Sequence, residues 1–398
     1  MKRTWIRNVR LILPEGIREG SLLIEDGKIA ALDPKTAEGA CVVNGHGYYL
    51  APGLIELHTH GAGGSDFMDG TLEDMLAASR MHLRHGVTTL MPTTLASSFE
   101  ELFKTINLFR QAQSVREGMP YLHGLHLEGP YFSMAQRGAQ DPKYIKNPER
   151  EEYLRVLDQA QGAIKRWSVA PELPGAMEMG DVLVRHGVLP SIAHSDAQLD
   201  QVKEAMRHGY THVTHLYSGM STITRERGFR KLGVLESAYV LDDLTVEVIA
   251  DGCHLPPELL RLVWQVKGRE KTCLVTDSMR CAGETVAESI VGSRKNGQRV
   301  IIEEGVAKLP DRSAFASSIA TADDLLRVMY HQAGIPLEDC VYMMTAAPAR
   351  VMKIDDRKGA IKPGYDADLV LMDDDLRPVA VYVMGEKQFD MLICTLDL

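Results

Sequence analysis

Five short apolar runs in this chain each end in a residue able to bind a metal or move a proton. They read APGLIELHTHG with His58 and His60, GLHLEGP with Glu128, VLPSIAHSD with His194, THVTHLY with His215, and TCLVTDS with Asp277. His58 and His60 are two residues apart, so on a strand both imidazoles share one face. The GAGG that follows them is a flexible loop with room for a ligand. Glu128, between an apolar run and Gly-Pro, either caps the next element, coordinates one ion or bridges two. Many barrel hydrolases bridge with a modified lysine. The run WSVAPE ends in no lysine, which favours Glu128. His194 and His215 end consecutive runs and would sit side by side. One Glu and two His leave a coordination position open for water, the ligand count of a catalytic rather than a structural zinc-type site. Asp277 is either a turn residue or the base that takes a proton from activated water and passes it to a leaving nitrogen. His254, in EVIADGCHLPP, is suited to donate to a substrate carbonyl and stabilise an oxyanion. Asp251 beside it orients the ring or caps the turn. The chemistry these residues share is metal-assisted hydrolysis.

Such residues must be carried by elements that converge. Strand-like runs occur near 51–57, 87–93, 122–128, 167–171, 188–194, 211–216, 245–251 and 272–277. Helix-like segments separate most of them, including TLEDMLAASRMHLRHG, SFEELFKTINLFRQAQ, AQLDQVKEAMRHG and PPELLRLVWQVKG. Ser98 and Asp196 are candidate N-caps, and Pro256 and Pro257 suit a first turn. A further helix, ATADDLLRVMYHQAG, follows the last strand. This alternation predicts a (β/α)8 barrel, class α/β, with a doubly wound open sheet as rival. In a parallel barrel the strand ends gather at the C-terminal rim, where active sites lie. The first fifty residues and the last forty-odd instead read as short strands and turns, with Asp26-Gly27 and Asn44-Gly45 as hairpin signals. The expected division is a small β domain from residues 1–50 and 355–398, and a barrel from 51–354.

Composition narrows the partners. The 398 residues carry a formal net charge of -10, with 45% hydrophobic and 25% charged residues. An acidic globular chain is a poor binder of nucleic acid or anionic membrane. The start, MKRTWIRNVRLILPEG, lacks the pattern of a secretory signal, and no apolar run is long enough to span a membrane. Cys41, Cys253, Cys273, Cys281, Cys340 and Cys394 form no CxxC pair and read as reduced cytoplasmic thiols. Cys253 and Cys281, though near His254 and Asp277, read as packing residues rather than ligands. Beyond His215, YSGMSTITRERGFRK concentrates Arg225, Arg227, Arg230 and Lys231. It is a solvated loop or an anchor for a phosphate or carboxylate, with Arg225 the best placed.

These motifs, together with GVTTLMPT, AHSDA, LVTDSM, APARVMKI and KGAIKPGYDADLV, resemble the amidohydrolase superfamily. Within it the chain is similar to deacetylases of N-acetylated amino-sugar phosphates, nearly end to end. The resemblance implies a (β/α)8 barrel with a β-sandwich built from both chain ends. It implies a divalent cofactor, zinc first with iron or manganese as other occupants, in one or two ions. The implied ligands are Glu128, His194 and His215, with His58 and His60 completing a second position. Asp277 matches the catalytic acid/base and His254 the substrate-carbonyl residue. A homodimer is implied, in which Arg225 reaches the partner's substrate phosphate. Four positions depart from the pattern: Ser218-Gly219 stands where Asn-Ala is usual, Gln140 where some relatives carry a phosphate-binding His, and Arg227 where proline is usual. Gln140 donates a hydrogen bond but carries no charge.

The expected reaction is deacetylation of N-acetylglucosamine 6-phosphate. Related substrates are the galactosamine isomer, an unphosphorylated N-acetyl sugar or an N-acyl amino acid. A non-catalytic binding protein on the same fold is the rival from another class, although such proteins usually lose the ligand set that this chain keeps.

Overall fold

A ring of parallel strands forms the centre of the chain. The computed structural model describes residues 3–391. Cys394 lies outside them, and the other five cysteines are free thiols. The ring consists of β1 (Leu54–Thr59), β2 (Val87–Thr94), β3 (Leu125–Glu128), β4 (Ile164–Val169), β5 (Leu189–Ile192), β6 (His212–Val213), β7 (Thr245–Ile249) and β8 (Thr272–Val275). Each pairs in parallel with its neighbour in chain order. A parallel bridge between Thr59 and Ser278 brings β8 back to β1. The barrel reading therefore stands, and the open sheet does not.

Helices α1 (Leu72–Arg84), α2 (Phe99–Ala112), α3 (Arg150–Ala160), α4 (Ala176–Arg185), α5 (Leu199–Arg207), α6 (Val234–Val240), α7 (Pro257–Lys267) and α8 (Ala322–Arg327) lie between or after the strands. The Ser98 hydroxyl caps α2 by accepting from the Glu101 amide at 3.3 Å. The expected cap at Asp196 is not formed: α5 is capped at Gln198, whose amide donates to Gln201. Asp196 instead accepts from the Gln136 side chain at 2.9 Å, a tie across the rim that takes it out of the helix.

Alternation along the strands puts an unusual set of residues inside the barrel. Glu56 and His58 on β1, His126 and Glu128 on β3, Arg166 and Ser168 on β4, and Glu247 on β7 are all buried. Aliphatic layers are the usual filling; here the interior is a hydrogen-bonded polar network. The aliphatic core lies mainly outside, where Leu54, Leu90, Leu127, Trp167 and Val248 pack with the helices.

The chain ends join one eight-stranded sheet, in the order 386–390, 378–383, 369–372, 49–52, 3–13, 16–25, 28–32, with 41–44 also against 3–13. Ile6, Leu11 and Leu22 from the beginning share one apolar cluster with Leu369, Leu371 and Tyr382 from the end. Asp26-Gly27 forms the expected two-residue hairpin turn, both residues at positive φ. Asn44-Gly45 does not: both segments flanking it pair in parallel with 3–13. The chain there steps from one half of that strand to the other, and the Gly45 amide bonds to Arg7 at 2.7 Å.

Two features had no counterpart in the sequence reading. Glu288–Val291, Gln298–Glu303 and Val306–Lys308 form a three-stranded antiparallel sheet between β8 and α8. Thr224–Glu226 and Phe229–Lys231 form an exposed hairpin. Its turn holds Arg227 at φ 50° and Gly228 at φ 89°. Proline, locked near φ −65°, cannot occupy position 227 in this turn.

Candidate metal centre

The rim of the barrel brings two triplets of ligand atoms together. His58, His60 and Asp277 form one, and Glu128, His194 and His215 the other; within each triplet the atoms lie within 4.8 Å of one another. The Glu128 carboxylate stands between them. Its Oε1 is 2.9 Å from His215 Nε2, 3.3 Å from His194 Nε2 and 3.5 Å from His58 Nε2. Its Oε2 is 3.4 Å from His60 Nε2. Asp277 Oδ1 lies 3.1 Å from His60 Nε2 and 3.4 Å from His58 Nε2. His194, His215 and Asp277 have positive φ, at 45°, 25° and 45°. Non-glycine residues rarely adopt such backbone, and it persists where the surroundings enforce it. Here it occurs where β5, β6 and β8 give way to loops.

The ring nitrogens are sorted by their other partners. His58 Nδ1 lies 2.7 Å from Glu247 Oε1, His194 Nδ1 2.8 Å from the Gln136 carbonyl, and His60 Nδ1 3.3 Å from the Thr93 carbonyl. Each contact makes Nδ1 the donor and turns a lone pair at Nε2 toward the centre, the arrangement of metal-bound histidine. His58 Nε2 is buried without a hydrogen-bond partner. A buried nitrogen left this way is costly unless something else takes its lone pair. Nitrogen and carboxylate oxygen donors suit a divalent transition ion, so the residues fit one.

Without an ion the charges compensate one another. Burial works against a charged His58, yet the Asp277, Glu128 and Glu247 carboxylates raise its pKa well above the ordinary value. His60 is also buried, and hydrogen bonds to Asp277 and Glu128 carry it to about 9. Burial would raise Glu128 and Asp277, but the His58 charge leads in holding both down. Ion binding therefore competes with protons on these imidazoles.

A cavity of about 300 Å³ opens over the triplets. His254, Ser218, Gly219, Gln140, Tyr217, Phe315 and Ser317 are among its lining residues. His254 Nδ1 is 2.7 Å from Asp251 Oδ2, and its amide donates to the same carboxylate at 2.8 Å. Asp251 thus orients the ring and ties the turn at once. Gln140 is buried with both ends of its amide in use. Its Nε2 donates to Glu128 Oε2 at 2.8 Å, and its Oε1 accepts from the Ala96 amide at 3.0 Å. Arg225 and Arg227 are exposed on the hairpin and do not line this cavity. No Lys or Arg does.

Sequence reading missed Glu247, Arg166, Thr93 and Gln136. The first two carried a usable signal, a charge inside an otherwise apolar strand (LTVEVIA and IKRWSV). The main-chain partners carried none, because any residue supplies a carbonyl.

A closed parallel barrel with convergent His and carboxylate ligands at its C-terminal mouth defines a metal-dependent barrel hydrolase. The amidohydrolase family model matches residues 49–394, and the chain belongs to that family. The N-acetylglucosamine-6-phosphate deacetylase of Lysinibacillus sphaericus is 32% identical over 373 residues, 93% of this chain and 94% of that one. The N-acetylgalactosamine-6-phosphate deacetylase of Escherichia coli O157:H7 is 29% identical over 386 residues, 96% of this chain and 98% of that one. Among solved structures, a mutant N-acetyl-D-glucosamine-6-phosphate deacetylase from Mycobacterium smegmatis, in complex with N-acetyl-D-glucosamine-6-phosphate, superposes with a TM-score of 0.88 at 28% identity. That match covers 98% of this chain and 100% of the other.

Proposed function

We propose that this chain deacetylates N-acetylglucosamine 6-phosphate, releasing acetate and glucosamine 6-phosphate. The observation that carries the reading is the convergence of Glu128, His194, His215 and Asp277 on one cavity beside an oriented His254. The ligands are Glu128, His194 and His215 for one ion and His58, His60 and Asp277 for a second, zinc being our choice of occupant. Such an ion, when bound, lowers the pKa of water to about 7 and polarises a carbonyl. Asp277 accepts the proton of the water attacking the acetamide carbon. His254, with Nδ1 occupied by Asp251, offers Nε2 to the carbonyl oxygen as its charge develops. Asp277 then returns the proton to the departing nitrogen as the C–N bond breaks. Ser218, Gly219 and Gln140 line the substrate cavity. We assign residues 51–354 to the catalytic barrel, and 1–50 with 355–398 to a β-sandwich built on the terminal sheet, residues 1–2 and 392–398 of that division lying outside the described ones. We place the enzyme in the cytoplasm, consistent with no described helix being long and apolar enough to cross a membrane.

Among the described residues no Lys or Arg lines the cavity, and the imidazoles of His60, His194 and His215 are engaged with the Glu128 and Asp277 carboxylates. A 6-phosphate therefore needs charge from elsewhere, and we assign it to Arg225 and Arg227 of a second subunit in a homodimer. The same observation supports a second reading, hydrolysis of a related N-acyl substrate such as the galactosamine isomer or an unphosphorylated sugar. Kinetics on the two N-acetyl hexosamine 6-phosphates and their free sugars separate the readings. A phosphate preference below about tenfold, roughly 1.4 kcal/mol, favours the second. In Asp277→Asn the turnover should fall by about 10²–10⁴ while the Glu128 triplet keeps its ion. Unchanged turnover would remove Asp277 from the mechanism.

A further inference from the structure

Below the rim, Glu247 on β7 is fully buried and touches both triplets. Its Oε1 accepts from His58 Nδ1 at 2.7 Å and from the His215 amide at 3.2 Å. Its Oε2 accepts from Arg166 Nη1 at 2.6 Å, and His212 Nε2 lies 3.3 Å away. Arg166 is itself fixed, its Nε donating to Ser191 at 2.9 Å and its Nη2 to Thr214 at 2.8 Å. Glu247, Arg166, His58, His212, Ser191 and Thr214 have no exposed surface.

We propose that Glu247, held by Arg166, is a positioning residue that keeps the His58 proton on Nδ1 and so builds the ion site at His58, His60 and Asp277. The proposal rests on reading that triplet as an ion site. Its logic is donor bookkeeping. A guanidinium only donates, so whatever replaces Glu247 must present an acceptor to Arg166. A carboxylate has a second acceptor left for His58. An amide does not: with its oxygen facing Arg166, its NH₂ faces His58. The imidazole must then accept at Nδ1 and carry its proton on Nε2, where an ion would bind. Partners behind a metal-bound histidine act in this way on ligand orientation and tautomer.

The test is zinc titration of the metal-stripped, full-length protein against a competing chelator, with ¹¹³Cd NMR to resolve the sites. Wild type should take two equivalents and give two cadmium resonances. In Glu247→Gln the site at His58 should weaken by about 10–100-fold, and the Glu128, His194 and His215 site by less than about threefold. The double variant Glu247→Leu/Arg166→Met replaces the buried ion pair with apolar volume, a change often tolerated by the fold. It should show the same selective loss, with circular dichroism unchanged. Two equivalents at wild-type affinity in either folded variant would overturn the proposal. A single equivalent already in wild type would overturn the two-ion reading beneath it instead.

Discussion

Gly219 shows how tightly one residue can be bound to the centre. Its φ is +57°, and a methyl on its Cα would lie 2.7 Å from His194 Nδ1 and 2.9 Å from the Gln136 carbonyl facing that nitrogen. The departure from Ala at this position therefore concerns the orientation of His194, a proposed ligand, as well as the cavity that Gly219 lines. Gly219→Ala should cost about 1 kcal/mol of stability through backbone strain. By displacing His194 it should also weaken zinc binding by about tenfold. Chelator competition on the folded variant checks this, and wild-type affinity would show that His194 has room to move. His60 makes the centre sensitive to pH. Its pKa rises from 6.5 to about 9 on folding, since Asp277 and Glu128 outweigh burial. A raised pKa contributes stability below the unfolded value, and that contribution is lost as pH climbs through the folded one. Glu56, pushed up by burial to about 7, acts in the same direction. His82 and His123, lowered by burial to about 3 and 4, act in the opposite direction below about pH 7.5, so above that point the metal-stripped protein should melt at a lower temperature at pH 9.5 than at pH 7.5. Zinc, which binds the deprotonated ring, should gain affinity over that interval. A melting temperature that rises over the same interval in the stripped protein would contradict both halves of the argument.

Between elements, one buried acid ties the ring of helices together. Asp323 near the start of α8 lies 2.7 Å from His85 at the end of α1 and 2.8 Å from Arg327. Burial opposes its charge, but these partners lower its pKa to about 2. A lowered carboxylate pKa gives stability that is present above the unfolded value of 3.8 and is lost as pH falls through 2. Asp323→Asn should cost about 2 kcal/mol at pH 7 with metal content unchanged. Denaturant unfolding measures this, and a cost near zero would mean that the ion pair merely replaces solvation. Strands and helices were legible in the sequence because a strand buried on both faces leaves an uninterrupted apolar run, and its terminal polar residue marks the rim. Glu128, His194, His215 and Asp277 all stand at such ends. The antiparallel insert over residues 288–308 was not legible. It packs through a few scattered residues, Met279, Cys281, Val291 and Val300 among them, too few for a periodic signal. Gln140 shows a different limit. Its amide chemistry was plain from the sequence, but its partner, Glu128, is twelve positions away. The exposed hairpin had only its Arg-Gly turn to announce it, and that dipeptide usually means nothing.

The whole molecule poses a charge problem that a single chain leaves open. Its formal net charge is -10, its cavity is lined by carboxylates, imidazoles and neutral groups with no Lys or Arg among the described residues, and the proposed substrate carries a dianionic phosphate. Arg225, Arg227 and Arg230 stand on a hairpin outside the cavity, next to Phe229, which is 76% exposed. A second surface seated on the hairpin would cover this side chain and meet the basic cluster at once. A twofold dimer that inserts each hairpin into the neighbouring subunit would supply both the cover and the missing charge. Arg225→Ala should then raise KM for the sugar phosphate by about 10–100-fold, leave kcat within a few-fold, and have no effect on the unphosphorylated sugar. The decisive arrangement mixes two inactive or weakened chains. One carries Asp277→Asn with an intact hairpin, and the other carries Arg225→Ala with an intact aspartate. In a mixed dimer one cavity has both its own Asp277 and the neighbour's Arg225. Random reassociation makes half the dimers mixed, so at low substrate the mixture should regain roughly a quarter of wild-type activity. If Arg225 serves the cavity of its own chain, no mixed dimer contains a complete site, and if it serves none, the Arg225→Ala chain is as active alone as in a mixed dimer. The activity would then stay at the sum of the two parents, whatever the dimer itself looks like.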